Sequence, residues 1–116
     1  MASEMVVIGV VPRDRLSTFP RCLEALYAHT HSPFRVVLVA GGADHATRQH
    51  LQTLQAQYAN LSVVLVDRLL EQATARNLVL QHVHERFCVL IENDTLVHPN
   101  WLHPLLECMR DERAAV

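Results

Sequence analysis

Four short apolar runs, at residues 5–11, 35–40, 61–66 and 87–91, are separated by segments whose apolar residues recur at helical spacing. A strand without alternation has no polar side to give to water, so both of its faces must be covered, and the intervening helices supply the cover. The pattern predicts an α/β fold: a Rossmann-like parallel sheet with helices on both faces. Right-handed crossovers then bring every strand-to-helix loop to one edge, where the loops beginning at Val11, Ala40, Asp67 and Glu92 converge.

The helical segments are readable from their inner faces. Phe19, Cys22, Leu23, Leu26 and Tyr27 form one, with Ser17 or Thr18 as its cap and Pro20 in its first turn. Leu51, Leu54 and Tyr58 form a second. A third, over about 71–84, turns Ala75, Leu78, Val79 and Val83 inward, and a fourth, near 100–110, offers Trp101, Leu102, Leu105, Leu106 and Met109.

With 116 residues the chain reads as a single domain, 1–116, and half of it is apolar, which is enough for a core. The net charge of -2 gives no electrostatic reason to expect a nucleic-acid partner. No apolar run approaches a membrane span, and the start lacks the basic flank and apolar core of a signal peptide. Cys22, Cys88 and Cys108 are odd in number and far apart with no C-x-x-C pair; Cys88 in an apolar run and Cys22 on an apolar helical face read as free buried thiols of a cytoplasmic protein.

The chemistry concentrates after the fourth run, at Glu92-Asn93-Asp94. Two carboxylates leave a buried strand at the edge where open parallel sheets bind ligands. The alternative is a solvated turn in which Asn93 or Asp94 caps the chain locally. Arg76 suits a diphosphate or Asp94 as partner, against the alternative of a surface ion pair; Asn77 beside it suits a loop anchor. Asp67 ends the third run as Glu92 nearly ends the fourth, and His98 follows the acidic turn closely enough to approach it. The remaining histidines lack helical i, i+4 partners or zinc spacing, and both phosphate-loop glycine patterns are absent.

In order and spacing these pieces resemble the family 2 inverting glycosyltransferases of GT-A fold. Val6-Val7-Ile8 is similar to the family's first strand, Arg21 through Leu26 to its R-C-L-E-S-L helix, and residues 36–43 to its V-V-D-D-G-S strand and turn. Ala75-Arg76-Asn77 resembles A-R-N, residues 89–94 the strand that ends in D-x-D, and Trp101-Leu102 with Leu105-Leu106 the W-L-x-x-L-L helix. The resemblance covers nearly the whole chain and implies a truncated GT-A nucleotide-binding half.

It further implies a nucleoside diphosphate sugar of UDP or GDP type as partner and Mn²⁺ or Mg²⁺ as cofactor. Asp94 would be the metal ligand, and Glu92 would stand for the ribose-side aspartate. Arg76 and Asn77 would complete the nucleotide-binding set. The sequence departs from the pattern at Ala40 and Gly41, where the family carries acids, and at Arg13-Asp14-Arg15-Leu16, where an aromatic residue is missing. No residue can be assigned as catalytic base, so this stretch alone should not turn over. Pairing with a missing C-terminal half, or self-association, is expected at the open sheet edge. The competing reading is a non-enzymatic α/β protein-interaction module or a degenerate glycosyltransferase-like domain.

Overall fold

The computed structural model describes residues 5–12 and 18–110, omitting the side chains of the last two. Its elements are β1 (Val6–Val11), α1 (Phe19–His29), β2 (Phe34–Gly41), α2 (His45–Gln57), β3 (Leu61–Val66), α3 (Gln72–Gln81), β4 (Phe87–Glu92) and α4 (Leu102–Arg110). The strands are all parallel and lie in the order β3-β2-β1-β4. This is the expected α/β architecture, with helices on both faces.

The pleat of β1 divides the core into two layers. Val6, Ile8 and Val10 join α1 (Phe19, Cys22, Leu23, Leu26), α2 (Leu51, Leu54) and α4 (Leu102, Leu106) on one face. Val7 and Val11 join Val37 and Val39 of β2 and Ala75 and Val79 of α3 on the other. α3 comes very close to the sheet because Gly9 has no side chain. A Cβ there would lie 2.5 Å from Val79 Cγ1 and 2.8 Å from Leu90 Cδ2.

Continuous burial holds for β1 and for most of β2, but β3 and β4 are half-buried along most of their length. Both flank the sheet, so each lacks a neighbour on its outer side among the described residues. Leu90 of β4 is 37 % exposed as a result.

Several boundaries move from the sequence reading. β2 takes in Phe34 and Gly41, and β4 takes in Glu92, because the parallel ladder pairs Glu92 with Val11. α3 closes at Gln81 rather than 84, with the His82 carbonyl accepting from the Arg35 guanidinium. α4 begins at Leu102 because Asn100 sits at φ 60°, a left-handed conformation that a right-handed helix cannot contain. Thr18 stands at the cap of α1 without a side-chain capping bond, whereas Ser17 lies outside the described residues. Pro20 occupies the first turn as expected.

Tyr58 ends α2 and stacks on Tyr27, ring centroids 4.0 Å apart. Trp101 is half-buried and donates from Nε1 to Thr30 Oγ1 at 3.0 Å. Leu105 faces water, and the side chain of Met109 is outside the description. Cys22 is buried, Cys88 half-buried and Cys108 exposed, all as free thiols. Among the described residues no helix is long and apolar enough to cross a membrane.

Candidate functional site

The strand order reverses direction at β1. The chain steps outward from β1 to β2 and β3, then α3 carries it back across the opposite face to place β4 on the other side of β1. In open parallel sheets the crevice at such a reversal, beyond the carboxyl ends of the strands, is where ligands bind. Here those ends are Val11 and Glu92, which are register partners, and the Asn93 N–H donates to the Val11 carbonyl at 2.9 Å.

The three residues of the acidic turn have three different surroundings. Glu92 is half-buried, and its carboxylate accepts a hydrogen bond from the Gln72 side-chain amide at the start of α3. Asn93 is fully buried and forms the floor of the turn. Asp94 is exposed and lines a small cleft with Thr18, Arg21, Asn93 and Leu96. The Glu92 carbonyl accepts from Thr95 N–H at 3.0 Å, and the Cys22 thiol approaches it at 4.0 Å. Glu92, as register partner of Val11, points to the α3 face; a continued strand would send Asp94 the same way, and the turn instead carries it toward Cys22 of α1.

Cys22 reports on that placement. Its thiol is pushed up to about 12, chiefly because burial disfavours the thiolate, with the negative charge of Asp94 adding to the effect. It is a thiol held neutral beneath the site, not a nucleophile.

The other expected members stand on other elements or loops. Arg76 and Asn77 are exposed on α3, and Arg76 forms no ion pair with Glu92 or Asp94 among the described residues. His98 is exposed. Asp67 is held by Arg48, whose Nη2 donates to Oδ1 at 2.7 Å while its Nε donates to the Ala43 carbonyl at 3.1 Å. Arg13, Asp14, Arg15 and Leu16 of the first loop lie outside the described residues.

Of the two positions at the end of β2 where the family pattern has acids, Ala40 is fully buried and Gly41 is closed to a side chain. A Cβ on Gly41 would stand 2.7 Å from the Arg68 carbonyl oxygen and 2.9 Å from Leu70 Cγ. The segment after β3 has folded onto the place where a carboxylate would project. Two contributors escaped sequence reasoning, Gln72 and Arg48. No motif marks either, and only the convergence of the loops at one edge puts each beside an acidic partner.

The comparisons agree with this architecture. The family model described as "Glycosyl transferase family 2" matches residues 6–116, and the chain belongs to that family. Among solved structures, S. aureus TarS 1-349 superposes with a TM-score of 0.73 at 17 % identity, covering 90 % of this chain and 32 % of that one. The same protein in complex with UDP gives a TM-score of 0.70 at 17 % identity, with the same coverage of 90 % and 32 %. The mannosyltransferase PcManGT from Pyrobaculum calidifontis, in complex with GDP-Man and Mn²⁺, gives 0.68 at 20 % identity, covering 83 % of this chain and 32 % of that one. The chain therefore spans about a third of the length of these structures. A search of curated protein sequences returns no match.

A divalent cation fits the donor chemistry of the turn. Asp94 offers a hard carboxylate oxygen in the open, and Mg²⁺-type ions are commonly held by one or two carboxylates plus substrate phosphates. Among the described residues no cluster of three or more His, Cys, Asp or Glu side chains forms a complete protein cage. Substrate phosphates and water would supply the remaining ligands.

Proposed function

We propose that this chain is the donor-binding part of an inverting glycosyltransferase that uses a nucleoside diphosphate sugar of UDP or GDP type. The observation that carries the reading is the acidic turn at the strand-order reversal, with Glu92 and Val11 side by side at the crevice. Glu92 faces the ribose, Asp94 holds Mn²⁺ or Mg²⁺ against the diphosphate, and Arg76 and Asn77 serve the nucleotide from α3. The cation compensates the negative charge that grows on the departing diphosphate. No residue of this stretch is assigned as general base for the acceptor hydroxyl, so activation of the acceptor falls to residues outside it. The chain alone then binds donor without turning it over.

The bound nucleotides and Mn²⁺ named for TarS and PcManGT support this reading by analogy of fold alone. Calorimetric titration of UDP and then GDP, with and without Mn²⁺, tests it. The reading requires saturable, metal-dependent binding of one of them that Asp94→Ala abolishes. A folded sample that binds neither contradicts it.

A second reading, a non-enzymatic module that associates through a sheet edge, is favoured by the edge strand β4. That strand is paired on one side only among the described residues, and its own Leu90 is 37 % exposed. Sedimentation velocity over a hundredfold concentration series discriminates: a concentration-dependent dimer without nucleotide binding favours the module.

A further inference from the structure

We infer that Gln72 is the positioning residue for Glu92, tethering the carboxylate that faces the nucleotide; this rests on the donor-binding reading above. Glu92 stands where the family pattern has aspartate, and its extra methylene adds a rotatable bond. A longer side chain at a binding edge samples more rotamers, and each must be given up when ligand binds. Gln72 supplies the restraint. It is the first residue of α3, half-buried, and its Nε2 donates to Glu92 Oε2.

The chemistry of the tether suits the role. A carboxylate only accepts, so the glutamine must present its NH₂ group, which fixes the amide orientation. A hydrogen bond to an ionised acceptor is among the stronger kinds. An amide also leaves the negative charge of Glu92 intact, which an arginine or lysine at position 72 would neutralise. The platform is rigid: α3 is anchored by fully buried Ala75 and Val79 against β1 and β2, at the close approach that Gly9 permits. Binding groups placed on packed elements and held by a supporting contact keep their geometry.

The contact could instead serve only to pin α3 to β4. That role predicts a loss of stability when Gln72 is changed and no loss of nucleotide affinity beyond it. The two are separated by a double-mutant cycle on the whole chain, using Gln72→Leu, Glu92→Ala and the pair. UDP or GDP affinity in the presence of Mn²⁺ is measured by calorimetry, and the thermal midpoint is recorded alongside.

Positioning predicts that Gln72→Leu, still folded at the assay temperature, weakens nucleotide binding about tenfold, comparable to the low end of losses seen when the supporting partners of metal ligands are removed. In the Glu92→Ala background, where no acceptor remains at position 92, the same substitution should cost nothing further. Gln72→Asn, too short to reach, should behave as Gln72→Leu. If Gln72→Leu binds nucleotide as the unsubstituted chain does, the positioning role is overturned while the donor-binding reading stands. Equal losses in the two backgrounds overturn it too, since Gln72 would then act independently of Glu92. If the unsubstituted chain binds neither nucleotide, both fall together. Should Gln72→Leu fail to fold, Gln72→Asn carries the same cycle.

Discussion

Gly41 and Cys22 show how single residues define the site by what they exclude. Restoring the family's carboxylate by Gly41→Asp should not improve nucleotide binding, because the new side chain would meet the Arg68 carbonyl and Leu70. Overpacking of this kind costs about 1–3 kcal/mol, which a urea midpoint would report as a destabilised but folded protein. Cys22 should resist thiol reagents until the fold opens, while exposed Cys108 reacts at once and half-buried Cys88 lags. Its pKa is raised from 9.0 to about 12 in the fold. The native state therefore holds its proton more tightly, and the associated stability is complete below pH 9 and is lost as pH climbs from 9 toward 12. Replacing Cys22 with Ala should remove that alkaline slope, at the cost of a small cavity. At this scale Glu92 and Asp94 were legible, because two carboxylates closing an apolar run stand out. Gln72 was not, since nothing in its local sequence distinguishes a helix-starting glutamine from a solvated one.

Between elements, the contact most open to test is Arg35 with Glu85, where β2 meets the loop between α3 and β4. Arg35 Nε donates to Glu85 Oε2 at 2.6 Å and Nη2 to Oε1 at 3.1 Å, and the guanidinium also takes the His82 carbonyl beyond the end of α3. The arginine holds the Glu85 carboxyl down at about 2 against an ordinary 4.5, mainly through this hydrogen bonding. The depressed value means that the contribution is present above pH 4.5 and disappears as pH falls from there to about 2. Glu85→Gln should lower stability at pH 7 by roughly 1–2 kcal/mol and flatten the acid limb, read from urea midpoints at pH 7 and pH 2.5. Equal midpoint differences at both pH values would show that charge is not the cause. The elements themselves were legible because β1 and β2 are buried on both sides and α1 is strongly amphipathic. The ends were less so. Glu92 joins β4 through ladder pairing with Val11, and α3 stops early where the Arg35 guanidinium takes the His82 carbonyl, and neither partner is local in sequence.

At the scale of the sheet, the four parallel strands among the described residues, in the order β3-β2-β1-β4, leave one reversal, the place where open sheets of this kind bind ligands. The apolar runs implied the sheet, but strand order depends on which face each crossover takes, and composition carries little of that information. The family resemblance supplied the expectation of a nucleotide site. The fold put the acidic turn at the crevice and sealed the β2 end that would ordinarily hold a second acidic contact. On the proposed donor-binding reading, nucleotide affinity would depend heavily on a cation held at Asp94.

Mn²⁺ itself provides the most direct test, because its unpaired electrons broaden nearby NMR signals. With UDP or GDP present, substoichiometric Mn²⁺ should selectively broaden the backbone amides of residues 92–96 and those at the start of α1. Asp94→Ala should abolish the effect. Broadening centred elsewhere, such as at His103 and Glu107 on α4, or left unchanged by Asp94→Ala, would contradict a metal-dependent donor site at the acidic turn.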